Sequence, residues 1–476
     1  MSHTPLESAT HGLRVWMPAP TAPWGVVSAV ALGVLVGAYD IKVLGALAVA
    51  ITAVISVVWP SVAASALLVI TFLFEEGLYG LIDPVGVFRL HRFGASLVGL
   101  NIDEILTLAA VIGLLLFMAR RRAVAPLPMS MRIASLLFVG VFASHAAIEL
   151  WSGTSPLDVF ASTGGKYLVL LAGSTWVLTD CLQRIAPLTR VIDLFFLGAG
   201  GRAVFALIRY FLYGGDPANP YRLTVQKVAL FESTDHMLFA LMIAIALASL
   251  VLRAEAPSRR AWWCVLSLPM IATIVLSFRR TSLLGLVLVA LAIGVLLWRK
   301  GGGRSVLAGA GASAAALAAA AAVRFQGSGS WLERLLPDVA GASDATRLTE
   351  WVLAFVTIRR GLFLGLGPLA ERAAGMYDWS ARIVHNAFLF VWMKIGLVGL
   401  SAFVVFIGTP AVRCTRRAIE TEPDYRAVAL TAMIPYLLVE LMTGTPLIEA
   451  RHTVAIALVL ALMLVVSSGR EVAHDF

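Results

Sequence analysis

The chain has 476 residues, of which 59% are hydrophobic and only 14% are charged, and its mean hydropathy is +0.88. This composition excludes a water-soluble globular domain. It is typical of a polytopic helical membrane protein, because apolar runs of about 17–25 residues match a bilayer core of roughly 30 Å. The net charge of +9 does not indicate a nucleic-acid partner, since Lys and Arg in membrane proteins mark cytoplasmic loops and headgroup contacts.

In chain order, the first segment, 1–23, is polar and lacks a cleavable signal pattern, so we expect a short cytoplasmic tail. Residues 24–476 are predicted to form a single all-α polytopic domain of about 12–14 transmembrane helices. The apolar runs lie at 24–39, 42–59, 61–75, 104–119, 133–150, 166–183, 191–213, 236–252, 261–278, 281–298, 305–323, 386–410, 427–443 and 452–468.

Five basic clusters predict how these spans are oriented. When the spans cross the membrane alternately, all five clusters fall on one side together with both termini. Because Lys and Arg accumulate in cytoplasmic loops, we expect that side to be cytoplasmic. The clusters are Arg120-Arg121-Arg122, Arg184 with Arg190, Arg253 with Arg259-Arg260, Arg299-Lys300 with Arg304, and Arg413 with Arg416-Arg417.

Positive residues should be scarce on the outer side, so those found there need a reason. The short turn between the ninth and tenth spans carries Arg279 and Arg280, Lys166 opens the sixth span, and the long periplasmic loop, 324–384, is rich in arginine. Guanidinium forks suit phosphate oxygens, so their convergence suggests a lipid-linked phosphate or diphosphate. A single loop arginine more often binds headgroups or a nearby acid. Arg280 differs, because its turn is too short to be a solvated loop.

His385 and Asn386 stand where the long loop meets the span at 386–410. Polar groups at the mouth of a membrane helix are costly unless they are used or paired. Either residue could simply form the polar end or cap of the helix. Histidine is also the side chain most easily used near neutral pH, so the position is consistent with chemistry at the membrane–water boundary.

Three segments resemble motifs of the O-antigen ligase and polymerase superfamily of bacterial membrane glycosyltransferases. SFRRTSLLGLVL, at 277–288, resembles the family's Ser-x-Ser-Arg-x-x-Leu helix start. Arg347 to Trp351, followed by GLFLGLGP at 361–368, resembles Arg-x-x-x-Trp with a Gly-x-Gly turn. HNAFLFVWMKIGLVGL, at 385–400, resembles a His-Asn helix that ends in Gly-x-x-Gly. Their order and their place around the long loop strengthen the resemblance.

The resemblance implies a bacterial inner-membrane enzyme with an outward-facing cavity. It would move a glycan from an undecaprenyl diphosphate carrier to an acceptor sugar, with inversion and without a metal or another cofactor. By motif, Arg280 and Arg347 would hold the donor diphosphate, and His385 would assist the acceptor hydroxyl or contact the diphosphate. Fixed guanidinium groups can stabilise the charge that develops on a leaving diphosphate, and a histidine can accept the proton.

The expected partners are the undecaprenyl-diphosphate-linked donor, a glycan or lipid A core acceptor, and the bilayer, without nucleic acid. Further substrate contacts are predicted at Arg279, Arg209, Lys166, Asn386 and Lys394. Lys394 stands where the family often has an acidic residue, so it is either another donor contact or a residue facing water. For Arg209, in the outer half of its span, a structural ion pair is an equal alternative.

The run ESTDH, 232–236, offers Glu232 and Asp235 as an alternative source of a base. The same run fits a helix start capped by Ser233 or Thr234. Other charges within spans are expected to face a cavity or to pair internally. They are Arg202, Glu440, Glu449 and Arg451.

Three functions fit the sequence. An O-antigen or exopolysaccharide polymerase is slightly favoured by the number of spans and the long outer segments. An O-antigen ligase, which transfers finished polymer to the lipid A core, uses the same donor chemistry and is not separated by the sequence. A polysaccharide or lipid-linked sugar transporter would also carry arginines, but nearer the membrane midplane and with shorter loops. The concentration of charge at the outer ends favours an enzyme.

Overall fold

A computed structural model describes residues 42–73, 100–120, 122–161, 166–184, 187–216, 227–298, 337–371, 384–420, 424–444, 447 and 449–469. Within these ranges the chain forms fourteen α-helices and no strand, which confirms the predicted all-α polytopic fold. The helices are α1 (Lys42–Val58), α2 (Pro60–Leu73), α3 (Ile102–Ala119), α4 (Met129–Trp151), α5 (Pro156–Ala161), α6 (Lys166–Arg184), α7 (Leu188–Leu212), α8 (Ser233–Leu252), α9 (Pro257–Leu276), α10 (Arg280–Trp298), α11 (Pro337–Ile358), α12 (Ala387–Ala418), α13 (Tyr425–Thr443) and α14 (Ala450–Ser467).

Every predicted span that falls within the described ranges coincides with a helix. In this part of the chain, nine helices are long and apolar enough to cross a membrane, namely α3, α4, α7 to α10 and α12 to α14. Helices α1 and α2 are apolar but shorter. The predicted tail, 1–23, and the predicted spans at 24–39 and 305–323 lie outside the described residues.

Helix α14 lies at the centre of the bundle. It is apolar on all sides, and 94% of its span is buried inside the protein, as expected of a helix surrounded by other helices. It packs against α6 and α12, while α13 packs against α10 and α8. Gly285 lets α10 and α13 approach closely, because a Cβ there would lie 2.4 Å from the Tyr436 ring.

Contacts between distant segments distinguish the two ends of the bundle. At one end, the Tyr425 hydroxyl at the start of α13 donates to Glu255, just before α9, at 2.9 Å. At the other end, the Ser233 hydroxyl at the start of α8 lies 3.0 Å from Nδ1 of His452 in α14. We call this second end, where α8, α10, α12 and α14 begin, the site end.

A glycine turn docks into a break in α12. Gly396 has φ 69° and ψ −173°, which interrupts the helix. The turn at 365–367 lies against this break, and the Leu397 N–H donates to the Leu362 carbonyl at 2.9 Å. Gly365 also has a positive φ, and a Cβ on it would lie 2.5 Å from the Gly396 nitrogen. Glycine is therefore required at both positions, and this contact joins the second and third motifs.

Asp235 is the centre of a buried ion-pair network at the site end. Arg202 of α7 donates two hydrogen bonds to its carboxylate at 3.2 Å, and Arg451 of α14 donates two more at 2.5 and 3.0 Å. Arg451 also pairs with Glu232 and donates to the Thr71 carbonyl of α2 at 2.8 Å. Glu232 and Asp235, the alternative bases suggested by the sequence, are thus held in ion pairs between helices.

Replacing Asp235 by alanine should lower the free energy of unfolding by about 3–5 kcal/mol, because two buried guanidinium groups lose the carboxylate that pairs with both of them. Thermal unfolding of the protein in detergent measures the change. Glu420→Ala is the control, since it removes an exposed pair with Arg417 that contributes less than about 1 kcal/mol. Equal effects of the two substitutions would show that the Asp235 network does not hold the helices together.

Candidate active site

Helix α11 lies within the segment predicted as a long outer loop and carries the first half of the second motif. Arg347 is separated from Glu350 and Trp351 by three and four residues, so the three side chains are neighbours on the helix surface. Arg347 is half-buried, and Glu350 is 4% exposed. Since α11 packs against α12, this face lies beside the His-Asn helix.

His385 contacts α11 through its ring and its backbone. Its Nδ1 lies 2.8 Å from Oε2 of Glu350, and its backbone N–H donates to the same oxygen at 3.3 Å. The Trp351 indole N–H donates to the His385 carbonyl at 3.3 Å. The His385 side chain is 40% exposed. Because Glu350 occupies Nδ1, Nε2 is the ring nitrogen available to a substrate.

Asn386 is the N-cap of α12. Its Oδ1 accepts hydrogen bonds from the backbone N–H groups of Phe388 at 3.0 Å and Leu389 at 3.1 Å. These bonds satisfy donors that a helix start would otherwise leave unpaired. The cap also fixes the backbone next to His385, so Asn386 helps to position that residue.

The turn between α9 and α10 places its two arginines in different surroundings. Arg279 is half-buried, donates to the Phe231 carbonyl at 2.5 Å, and lies over the Phe231 ring at 4.9 Å. Arg280 is exposed at the first position of α10 and makes no hydrogen bond or ion pair with the residues described. Phe278 has a φ of 59°, which is rare for a bulky residue and marks a tightly constrained turn.

Glu440 links this turn to α11. It lies in the last turn of α13, is 1% exposed, and neither carboxylate oxygen forms a hydrogen bond within the described part of the chain. Its carboxylate interacts electrostatically with Arg279 and with Arg347. The two arginines come from different elements, the turn before α10 and helix α11.

His385 and the face of α11 that carries Arg347 therefore lie together, and Arg280 opens α10 at the same end of the bundle. His385 is held by Glu350, which is one helical turn from Arg347 on α11. Arg347 and Arg279 act on the same buried acid, and Arg280 follows Arg279 in the chain. Neither Arg347 nor Arg280 forms a hydrogen bond or ion pair with a residue in the described ranges, which leaves both guanidinium groups available for an anion.

Three other residues predicted as substrate contacts are buried and bond to protein groups. The contacts join Lys166 to Glu104 at 3.1 Å, Arg209 to Asp216 at 2.8 Å, and Lys394 to the carbonyl oxygens of Pro368 at 2.7 Å and Ala370 at 2.5 Å. Lys394 thus donates hydrogen bonds to the backbone that follows the glycine turn and holds this segment against α12.

The site residue that sequence reasoning missed is Glu350. It lies inside the second motif, three residues after Arg347 and directly before Trp351. On a helix, an acid at that spacing shares a face with the arginine. The sequence therefore indicates Glu350 only if the segment is predicted to be helical. The spacing does not indicate that His385 is the partner of Glu350, because these two residues come together only through tertiary packing.

The region offers two chemical functions side by side. Uncommitted guanidinium groups can stabilise an anion, and an imidazole with Nε2 exposed can accept a proton from a hydroxyl. Within the ranges that the structure describes, no three His, Cys, Asp or Glu side chains are grouped so as to hold a metal ion. A transfer reaction with an anionic leaving group would use both functions.

Residues 265–404 match a family model described as O-antigen ligase. The matched range contains all three motifs, together with Arg280, Arg347 and His385, so the resemblance inferred from the sequence is confirmed there. A search of curated proteins found no match. The match supports a membrane enzyme of the O-antigen ligase and polymerase type, and such a family implies lipid-linked glycan substrates.

Proposed function

We propose, from the O-antigen ligase match of residues 265–404, that this chain is a membrane glycosyltransferase. It takes a glycan from an undecaprenyl diphosphate carrier and joins it to an acceptor sugar, with inversion and without a catalytic metal. The observation that carries the proposal is the grouping of Arg347 and Arg280, whose guanidinium groups are uncommitted within the described residues, with His385 at the site end.

The donor half of the site is built on the two arginines. As the bond between the anomeric carbon and the diphosphate oxygen breaks, its electron pair stays on the diphosphate, where negative charge grows. Arg280 and Arg347 bind the phosphate oxygens and stabilise that charge. Arg279 adds positive potential nearby, although its contact with the Phe231 carbonyl already uses part of its donor capacity.

The acceptor half is built on His385. The acceptor hydroxyl oxygen attacks the anomeric carbon from the face opposite the leaving diphosphate, which inverts the configuration. Its proton moves to Nε2 of His385, the exposed ring nitrogen. Asn386 contributes by capping α12 beside His385. Lys166, Arg209 and Lys394 act through the fold, because their charged ends hold protein groups.

We assign the acceptor to a growing O-antigen or exopolysaccharide chain, which makes the enzyme a polymerase, with ligation to lipid A core as the alternative. Deletion of the gene followed by glycan analysis tests this assignment. Loss of long chains, with single repeat units still attached, supports a polymerase. Normal chain lengths that accumulate on the lipid carrier, unattached to the core, support a ligase.

The site end is proposed to face the periplasm of a bacterial inner membrane, with both termini in the cytoplasm. In a variant without native cysteines, Ser152→Cys, after α4, should react with an impermeant thiol reagent in cells with a permeabilised outer membrane. Ser258→Cys, at the start of α9, should not react. Both serines are exposed, so access to the reagent depends on the side of the membrane, and the reverse labelling would invert the orientation.

A further inference from the structure

Glu350 makes two contacts with one residue. Its Oε2 lies 2.8 Å from the ring Nδ1 of His385 and accepts the His385 backbone N–H at 3.3 Å. The acid is 4% exposed, whereas the His385 side chain is 40% exposed. One buried carboxylate oxygen therefore fixes both the backbone and the ring of a residue whose side chain is partly exposed.

The contact determines which ring nitrogen of His385 carries a proton. An ionised carboxylate can only accept, so the hydrogen between Oε2 and Nδ1 belongs to the imidazole. The neutral ring then has its lone pair on Nε2, the nitrogen directed away from Glu350. This is the tautomer that a proton acceptor requires, and the hydrogen bond of the other ring nitrogen selects it.

We propose that Glu350 is a positioning residue that holds His385 in the Nδ1–H tautomer, with Nε2 free to receive the acceptor's proton. The inference rests on the proposed function, because it assigns a task to the acceptor half of that site. During transfer, the proton passes from the acceptor oxygen to Nε2, Nδ1 keeps its hydrogen, and Glu350 remains ionised beside the new imidazolium. No further reactant is needed.

A purely structural role would be served by other contacts. The Trp351 indole N–H already ties α11 to the His385 carbonyl at 3.3 Å, and Asn386 caps the helix that follows. Glu350 also lies one helical turn from Arg347. The same helix therefore orients the base, His385, and presents the arginine that binds the donor, which aligns the two halves of the site.

The test uses ¹⁵N NMR of histidine-labelled protein in lipid nanodiscs. His385 is assigned among the 8 histidines by the signal missing from His385→Gln. The wild type should show the Nδ1–H tautomer. In Glu350→Ala the Nε2–H tautomer should appear, and in Glu350→Gln both should be present because an amide can accept or donate. Trp351→Phe removes the other anchor and should keep the wild-type tautomer.

The same variants are assayed for transfer. Glu350→Gln should lower kcat on the order of 10²–10⁴-fold and leave the KM for the lipid-linked donor near the wild-type value. Unchanged spectra and unchanged kcat in Glu350→Gln, with His385→Ala inactive, would overturn this inference alone. A fully active His385→Ala would overturn the proposed role of His385, and this inference with it. Size-exclusion profiles confirm that each variant is folded.

Discussion

Replacing Arg347 by alanine should abolish glycan transfer and leave the helix bundle intact. Arg347 is half-buried and forms no hydrogen bond or ion pair with the described residues, so its removal should cost the fold little. Its loss leaves the leaving diphosphate without a fixed counter-charge. The loss of one preorganised donor of this kind costs roughly 10²–10³-fold in kcat. Arg280→Ala should have a comparable effect, because Arg280 contributes a second guanidinium group.

Lysine replacements and a distant arginine make this prediction specific. Arg347→Lys should restore little activity, because an ammonium does not reproduce the bidentate fork. Arg359→Ala is the matched control. That residue is exposed in the turn that ends α11, and transfer should remain near the wild-type rate. Wild-type activity in Arg280→Ala and Arg347→Ala, measured with purified protein and labelled donor, would refute the diphosphate site.

His385→Ala should lose glycan transfer but still bind the lipid-linked donor. In the proposed mechanism the diphosphate is held by arginines on α10 and α11, whereas His385 acts on the acceptor hydroxyl. Removal of a positioned general base typically costs about 10²–10⁴-fold. Donor binding is measured by a pull-down of labelled carrier, and transfer by the appearance of labelled product.

Glutamine at position 385 separates two roles of the histidine. It keeps a hydrogen-bonding side chain near Glu350 but cannot accept a proton. His385→Gln should therefore be nearly as inactive as His385→Ala. Near-normal turnover by His385→Gln would limit this residue to positioning and would show that the reaction proceeds without it as a base.

The sequence predicted the membrane helices well because lipid leaves the backbone few options. A chain that crosses a bilayer must satisfy its own backbone hydrogen bonds, so long apolar runs become helices. Helix α11 was not predicted, since it begins in the mixed sequence PDVAGASDATR and has no long apolar run. Its helical state matters for function, because it places Arg347 and Glu350 on neighbouring positions.

The tertiary partners of charged groups were harder to predict than the groups themselves. Lys394 was expected to contact the donor or to face water, but the glycine turn brings two backbone carbonyls to its ammonium. Asp235 was considered as a base, but arginines from α7 and α14 enclose it. In both cases the partner arrives through helix packing, which single-sequence patterns do not specify. Motif spacing predicts Arg280, Arg347 and His385 as site residues, and the structure joins His385 to the helix that carries Arg347.

The most direct measurement is transfer by the purified chain in lipid nanodiscs. The enzyme is incubated with undecaprenyl diphosphate that carries a labelled glycan, with an acceptor glycan and with excess EDTA. We expect that the label leaves the carrier and joins the acceptor, that undecaprenyl diphosphate is released, and that Arg347→Ala gives neither product. A donor that stays intact in the presence of active, folded protein, even if it is carried across the membrane, would contradict the account.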